Sequence, residues 1–206
     1  MQKKVILFGG TFDPIHCGHT RSCLHALEQT GADKVVFIPA RRSPHKKLFP
    51  VASKEARVEM LRLALTGESR FEISECELNR PLPSYTVDTV RFFRSEYGDD
   101  TVIYWLVGAD VVKDLANWYE VKSLIDECNL CVMCRGGFAK PDFEGLEGVL
   151  GVERVEKLKK NVVAGPLVDI NSSEIRQKIA KGEPIRGMVS EAVEAYICEN
   201  GLYKAC

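Results

Sequence analysis

The sequence predicts an α/β fold, a doubly wound, mostly parallel sheet with helices on both faces. Three observations predict it. Apolar, strand-like runs alternate with helically spaced segments along most of the chain, the pattern of parallel strands joined by helical crossovers. The first run, Val5-Ile6-Leu7-Phe8, is continuously apolar, as a strand buried on both faces must be, and it ends in Gly9-Gly10. A length of 206 residues is enough for one substantial core and short for two, so a single domain over 1–206 is expected.

In order, the strand-like runs are Val5–Phe8, Val35–Pro39, Phe71–Cys76, Val102–Val107, Leu130–Cys134 and a last one near Val162–Ile170. Helical spacing covers about 18–30, 54–66, 86–97 and 119–127, with further segments near 152–160, 173–181 and 190–199. The first helix places Thr20, Cys23, Leu24 and Leu27 on one face, and Gly31 follows as its C-terminal cap. Residues 136–151 hold five glycines and one proline and read as an irregular connection. Nothing repeats internally, and no linker divides the chain.

In such a sheet ligands bind beyond the carboxyl ends of the strands, where strand order reverses. The segments after each strand therefore form one candidate site. After the first strand comes Gly9-Gly10-Thr11-Phe12-Asp13-Pro14-Ile15-His16-Cys17-Gly18-His19, a strand–loop–helix junction with two histidines at the helix's first turn. A helix N-terminus offers unpaired N–H groups and partial positive charge to a phosphate, and the glycines let a polyphosphate approach the backbone. There is no Gly-Lys-Ser/Thr ending for a P-loop and no G-x-G-x-x-G.

Later segments add to this site. After the second strand, Arg41, Arg42, His45, Lys46 and Lys47 lie in a Pro- and Ser-containing loop suited to phosphate. After the third, Ser84 or Thr86 is placed to cap the next helix. After the fourth come Gly108-Ala109-Asp110 and then Trp118-Tyr119, where Asp110 can accept from a ligand hydroxyl. After the last, Asn171 and Glu174 form a capping pair, and two serines with Arg176 make a second anion site.

Composition bounds the partners. Lys plus Arg number 28 against 29 Asp plus Glu, a net charge of −1, which speaks against a general nucleic-acid surface. No apolar run is long enough to cross a bilayer and Met1-Gln2-Lys3-Lys4 leads straight into a strand, so a cytoplasmic protein with no membrane partner is expected. Without a secretory signal the eight cysteines are expected to be reduced. Cys128, Cys131 and Cys134 have the spacing of a metal segment. However, Leu130–Cys134 reads as a central strand, which sends Cys131 and Cys134 to opposite faces, so no metal site is expected.

The form His16-Cys17-Gly18-His19, after Gly-Gly-Thr-Phe-Asp-Pro and directly past the first strand, resembles the H-x-G-H signature of the nucleotidylyltransferase superfamily. The wider set is similar to the nicotinate mononucleotide adenylyltransferases of bacterial NAD biosynthesis. It comprises Ser43-Pro44-His45-Lys46, Pro83-Ser84-Tyr85-Thr86-Val87-Asp88-Thr89, Gly108-Ala109-Asp110, Trp118-Tyr119, Ser172-Ser173-Glu174-Ile175-Arg176 and the ending Tyr196-Ile197 with Gly201-Leu202-Tyr203. Two departures stand out: Glu174 where relatives commonly carry Thr, and Leu82 where Gly often precedes Pro-Ser-Tyr-Thr.

The resemblance implies a Rossmann-like nucleotidylyltransferase fold and adenylyl transfer from ATP, which brings its own Mg²⁺, to nicotinate mononucleotide. It gives catalytic roles to His16, His19 and Arg176, and ATP contacts to Gly9, Gly10, Thr11, Gly18, Gly108, Asp110 and Ser173. It assigns the mononucleotide to Lys46, Thr86, Trp118 and Tyr119. A phosphopantetheine adenylyltransferase shares the H-x-G-H but lacks the Ser-Tyr-Thr and Trp-Tyr stretches. A class I aminoacyl-tRNA synthetase fragment would need a Lys-Met-Ser-Lys-Ser segment, which is absent, and a non-catalytic nucleotide sensor is disfavoured by the intact histidines and Arg176. The sequence leaves oligomeric state open, a homo-oligomer included.

Overall fold

The computed structural model describes residues 2–42, 49–134, 141–167 and 170–204. Six strands, β1 (Lys4–Gly10), β2 (Lys34–Pro39), β3 (Phe71–Ile73), β4 (Val102–Gly108), β5 (Asn129–Cys134) and β6 (Val162–Ala164), form one sheet. Its order is β3-β2-β1-β4-β5-β6, and every pairing is parallel. The chain starts in the middle, winds outward through β2 and β3, and then returns to the other side of β1 with β4. The doubly wound expectation is met, and the reversal of strand order falls between β1 and β4.

The period of two along the strands sorts side chains into two cores. Val5 and Leu7 of β1, with Ile103, Trp105 and Val107 of β4, face one side. They pack against α3 (Thr86–Tyr97), α4 (Val121–Glu127), α5 (Glu147–Leu150) and α6 (Val152–Lys160) through Val90, Leu124, Leu150 and Leu158. Ile6, Phe37, Leu106 and Cys131 face the other side. There they meet α1 (Cys17–Thr30), α2 (Lys54–Leu65), α7 (Ser172–Ala180) and α8 (Glu191–Glu199) through Leu27, Leu61, Ile175 and Ile197. Both faces of the sheet are covered, which is why its central strands read as unbroken apolar runs.

Several boundaries differ from the sequence expectation. The third strand stops at Ile73: one further bond, Ser74 N–H to Phe37 O, precedes a turn in which Leu78 and Asn79 both donate to Glu75 O. The last strand ends at Ala164, because the ladder with β5 ends there. The post-β4 segment, which helical spacing leaves without an element, is a 3-10 helix over Ala109–Asn117. Its buried residues Val112 and Leu115 are three apart, the 3-10 period, which a search for 3.6-residue spacing passes over. Gly31 caps α1 as expected, with φ of 63° and its N–H donating to Leu27 O.

Cys128 closes α4 and joins the α3–α4 core, whereas Cys131 is buried on the opposite side of the sheet. Among the described residues no group of three or more metal-ligating side chains forms. Burial pushes the thiols of both Cys128 and Cys131 from an ordinary 9.0 up to about 12.

One buried cation ties the first two strands together at their carboxyl ends. Arg57 of α2 is 2% exposed, and its Nη1 donates to Thr11 O and Ala40 O, each at 2.8 Å. Replacing it, as in Arg57→Leu, strands two carbonyls without a donor. We expect a loss of roughly 2–4 kcal/mol in urea unfolding with unchanged secondary structure; an unmoved midpoint would mean that the carbonyls find other partners. A second expectation concerns the thiols. Iodoacetamide at pH 8 should label the exposed Cys198 and leave Cys23, Cys128 and Cys131 unlabelled until the protein unfolds. Because burial raises these pKa values, stability should be intact below pH 9.0 and decline between there and about 12, as the unfolded thiols ionise and the folded ones do not. Labelling of Cys131 in the native state would contradict this burial.

Candidate active site

The loop between β1 and α1 has no regular structure of its own, and the rest of the chain holds it in place. The Asp13 carboxylate, 4% exposed, accepts from the N–H groups of Val51 at 2.7 Å and Ala52 at 3.1 Å and from the Tyr203 hydroxyl at 2.8 Å. Burial and the nearby Asp13 charge push the Tyr203 hydroxyl well above its ordinary pKa, so it remains a donor. The Asp13 carbonyl accepts from Arg176 Nη1 at 2.6 Å, the Pro14 carbonyl accepts from Ser172 Oγ at 2.9 Å, and the Cys17 N–H donates to Met188 O at 2.9 Å.

This clasp sets the start of α1. His16 is its N-cap and His19 its third residue, and their rings stack with centroids 3.6 Å apart and planes 23° apart. The His16 N–H donates to His19 Nδ1 at 3.2 Å. An imidazole nitrogen that accepts carries no proton, so neutral His19 holds its proton on Nε2 as a donor. Phe12 and Phe8 pack edge-on or tilted against the same ring at 5.2 and 5.8 Å and hold it upright. No acidic residue lies in the first turn of α1, so its positive end is uncompensated by its own sequence.

Two cavities open at the reversal of strand order, sharing a wall made of Phe8–Thr11 at the end of β1 and Leu106–Gly108 at the end of β4. The first, about 480 Å³, takes in His16, Gly18 and His19 from the start of α1 and Asn171, Ser172, Ser173 and Arg176 from the start of α7. Arg176 spends two donors locally, on Asp13 O and on Ser173 Oγ at 3.2 Å, which leaves further guanidinium N–H groups for a ligand. The second cavity, about 400 Å³, is lined beyond the shared wall by Ala40, Glu77, Ser84, Thr86, Asp114 and Trp118. Asp110 lies on both.

The sequence-predicted residues divide accordingly. His16, His19, Arg176, Gly9, Gly10, Thr11, Gly18, Gly108, Asp110 and Ser173 all line the first cavity, and Thr86 and Trp118 the second. The Tyr119 side chain lies outside the cavity wall: it is 51% exposed and stacks on Tyr85 at 4.2 Å. Lys46 lies outside the described residues. The Asn171 cap forms, its Oδ1 accepting from Glu174 N–H at 2.9 Å. The expected cap from Ser84 or Thr86 does not: Tyr85 is the N-cap of α3, and no side chain closes that end.

The glycines also have a reason that the sequence did not show. A Cβ on Gly9 would meet Trp105 at 2.6 Å, one on Gly10 would meet Phe12 at 2.8 Å, and one on Gly108 would meet Asp110 Oδ1 at 2.4 Å. The rings at Gly9 and Gly10 leave no room for a side chain before any ligand arrives, whereas at Gly108 the Asp110 carboxylate would have to swing aside. Sequence reasoning passed over Asp13, Arg57 and Tyr203 as clasp residues and Glu77 as cavity lining. Asp13, inside the glycine-rich motif, and Tyr203, in the C-terminal stretch, carried a signal as motif members, while Arg57 and Glu77 carried none.

Comparison with known proteins agrees with this geometry. The cytidylyltransferase-like family model matches residues 7–178. A protein of Moorella thermoacetica named as a probable nicotinate-nucleotide adenylyltransferase is 38% identical over 201 residues, covering 98% of this chain and 92% of its own. A Thermus thermophilus protein of the same name is 39% identical over 203 residues, covering 98% and 100%. Among solved structures, the Plasmodium falciparum nicotinic acid mononucleotide adenylyltransferase complexed with NaAD superposes with a TM-score of 0.74 at 20% identity, over 98% of this chain and 97% of that one. The fold is thus shared with a distant structure, and nearly the whole sequence with closer relatives, so the chain belongs to the cytidylyltransferase-like family and, within it, to the nicotinate-nucleotide adenylyltransferases.

Proposed function

We infer that the protein transfers the adenylyl group of ATP to the phosphate of nicotinate mononucleotide, giving nicotinate adenine dinucleotide and pyrophosphate in NAD biosynthesis. One observation carries the reading: two cavities share a wall at the strand reversal, and only the first has the two histidines and two helix N-termini suited to a triphosphate. The second is free for an acceptor whose phosphate must reach across that wall. We take the unit that does this to be a single cytoplasmic nucleotidylyltransferase domain spanning 1–206.

An oxygen of the mononucleotide phosphate attacks the α-phosphorus of ATP. A new P–O bond forms as the bond to the bridging α–β oxygen breaks, and the electron pair leaves with pyrophosphate. No protein nucleophile is needed, so catalysis reduces to positioning and to stabilising charge. His19, with its Nε2 proton directed away from the His16 amide, is proposed to donate to the α-phosphate as charge builds there, with His16 beside it. Ser173 and Arg176 are proposed to hold the departing phosphates, and Gly9, Gly10, Thr11, Gly18, Gly108 and Asp110 to line the path of the nucleotide. Thr86, Trp118 and the backbone of Tyr119 are assigned to the nicotinate, and Lys46 to the incoming phosphate. A divalent cation, taken to be Mg²⁺, travels with ATP as part of the substrate, its ligands coming from phosphate and water. This suits a site with no carboxylate cluster among the described residues.

Two measurements test this. Replacing the donor in His19→Ala should lower kcat by roughly 10²–10³-fold with unchanged circular dichroism; a variant with near-normal kcat would remove His19 from the transfer step. Pyrophosphate release at saturating ATP should also favour nicotinate over nicotinamide mononucleotide by about 10- to 100-fold in kcat/KM, because an amide NH₂ facing backbone N–H groups leaves one donor unpaired. Equal values would overturn the acceptor and leave adenylyl transfer standing.

A further inference from the structure

A carboxylate lines the cavity that holds the histidines, although a triphosphate is the ligand proposed for it. Asp13 is 4% exposed and forms part of the first cavity's wall. Left unpaired, a buried carboxylate would repel a polyanion and draw a nearby cation to itself. Three donors occupy it: the N–H groups of Val51 and Ala52 and the Tyr203 hydroxyl. Two of these are backbone groups, so the hydroxyl is the one side-chain donor of the three.

Tyr203 makes this contact from a strained backbone. Its φ is 63°, in the left-handed region that a bulky side chain rarely adopts. The turn before it is closed by Leu202 N–H donating to Ile197 O at 3.0 Å, and the ring packs against the core that α7 and α8 share. At a chain end the hydroxyl could face water, yet it is turned inward to a partner 190 residues away. Burial and the Asp13 charge hold its proton well above the ordinary range, so it stays a donor.

Arg176 is the group that this donor protects. Its Nη1 donates to the carbonyl of Asp13, the same residue whose carboxylate Tyr203 holds, and its Nη2 to Ser173 Oγ. Arg57, the other guanidinium near Tyr203, is fixed by the carbonyls of Thr11 and Ala40. Of these two cations only Arg176 lines the first cavity, where its further N–H groups remain for a ligand. Were Tyr203 to vacate its place on Asp13, Arg176 would have a carboxylate beside it to turn to. An ion pair formed there takes the guanidinium away from the phosphates.

We propose that Tyr203 is a positioning residue of the adenylyl-transfer site: its hydroxyl satisfies the Asp13 carboxylate and so keeps Arg176 for the departing phosphates. This rests on the adenylyl-transfer reading above and bears on ATP alone. The acceptor is assigned to the other cavity, whose described lining includes neither Asp13, Arg176 nor Tyr203.

The test is pyrophosphate release by the wild type, by Tyr203→Phe and by a protein with para-aminophenylalanine at position 203. The phenylalanine keeps the ring and loses the donor, and the para-amino group restores a donor at the same place. In Tyr203→Phe the KM for ATP and the inhibition constant for pyrophosphate should both rise about 10-fold, with the KM for nicotinate mononucleotide within about 2-fold of wild type. The para-amino group should bring both constants back toward wild type. Neither constant depends on how much of a preparation is folded, so a lowered urea midpoint cannot imitate the effect. A lowered midpoint with both constants unmoved would reduce Tyr203 to a structural role and overturn the proposal. An equal rise in the KM for the mononucleotide, or no recovery with the para-amino group, would overturn it too and leave the adenylyltransferase reading intact. A wild type that releases pyrophosphate with neither nicotinate nor nicotinamide mononucleotide would overturn both.

Discussion

The structure depends on how a loop with no secondary structure is held still. Residues 11–16 leave β1 carrying carbonyls and a carboxylate that are removed from bulk water, and buried polar groups of this kind must be paired. Their partners come from across the chain. Arg57 takes the carbonyl of Thr11, Arg176 that of Asp13 and Ser172 that of Pro14, while the Asp13 carboxylate gathers Val51, Ala52 and Tyr203. Burial lowers the pKa of Arg57, with Asp13 opposing the shift, yet a guanidinium starts so far above neutrality that it stays charged. The C-terminal Tyr203 and the first loop are thereby part of one hydrogen-bonded unit. The angle at which α1 sets out, and with it the placing of His16 and His19, follows from that unit.

The two cavities follow from topology. With β2 on one side of β1 and β4 on the other, crossovers leave the carboxyl ends of the central strands in opposite directions and part above them. The gap is divided by the shared wall of β1 and β4 ends, and close packing sets the height of that wall. Trp105 and Phe12 fill the space where side chains on Gly9 and Gly10 would stand, so at those two positions the partition is bare backbone. A partition lowered to backbone at Gly9 and Gly10 lets two phosphates approach across it, which a reaction between two anionic substrates requires.

Much of this was legible in the sequence because it is local. Continuous apolar runs gave β1, β2, β4 and β5, and the Gly-Gly pair with His16 and His19 gave the junction at the site. Of the three spaced cysteines, Cys128 closes α4 and packs in one core while Cys131 packs in the core on the other side of the sheet. What escaped was non-local or of a different period. The 3-10 helix after β4 buries residues three apart, outside the 3.6-residue search. Arg57 looks like any surface cation of an amphipathic helix, and nothing near it in sequence announces carbonyls 17 and 46 residues away. Ser84 was read as a cap, the common role of a serine before a helix, because local sequence cannot say that Tyr85 takes the cap position.

The charge of the first cavity explains why helix ends are used there. Among its described lining residues the full charges are Arg176 against Asp13 and Asp110, and Asp13 is already engaged by Tyr203 and two backbone N–H groups. One guanidinium cannot by itself balance a triphosphate. Two helices, α1 and α7, begin at this cavity, each contributing about half an elementary charge and unpaired N–H groups that keep their direction. Fixed dipoles suit a transferring phosphate better than flexible lysines, because they are already oriented when charge shifts from the α-phosphate toward the leaving oxygens. The clasp around Asp13 serves that end as well. It joins Arg176 and Ser172 of α7 to the loop that starts α1, so the two dipoles are held at one angle by the hydrogen-bonded carbonyls of Asp13 and Pro14.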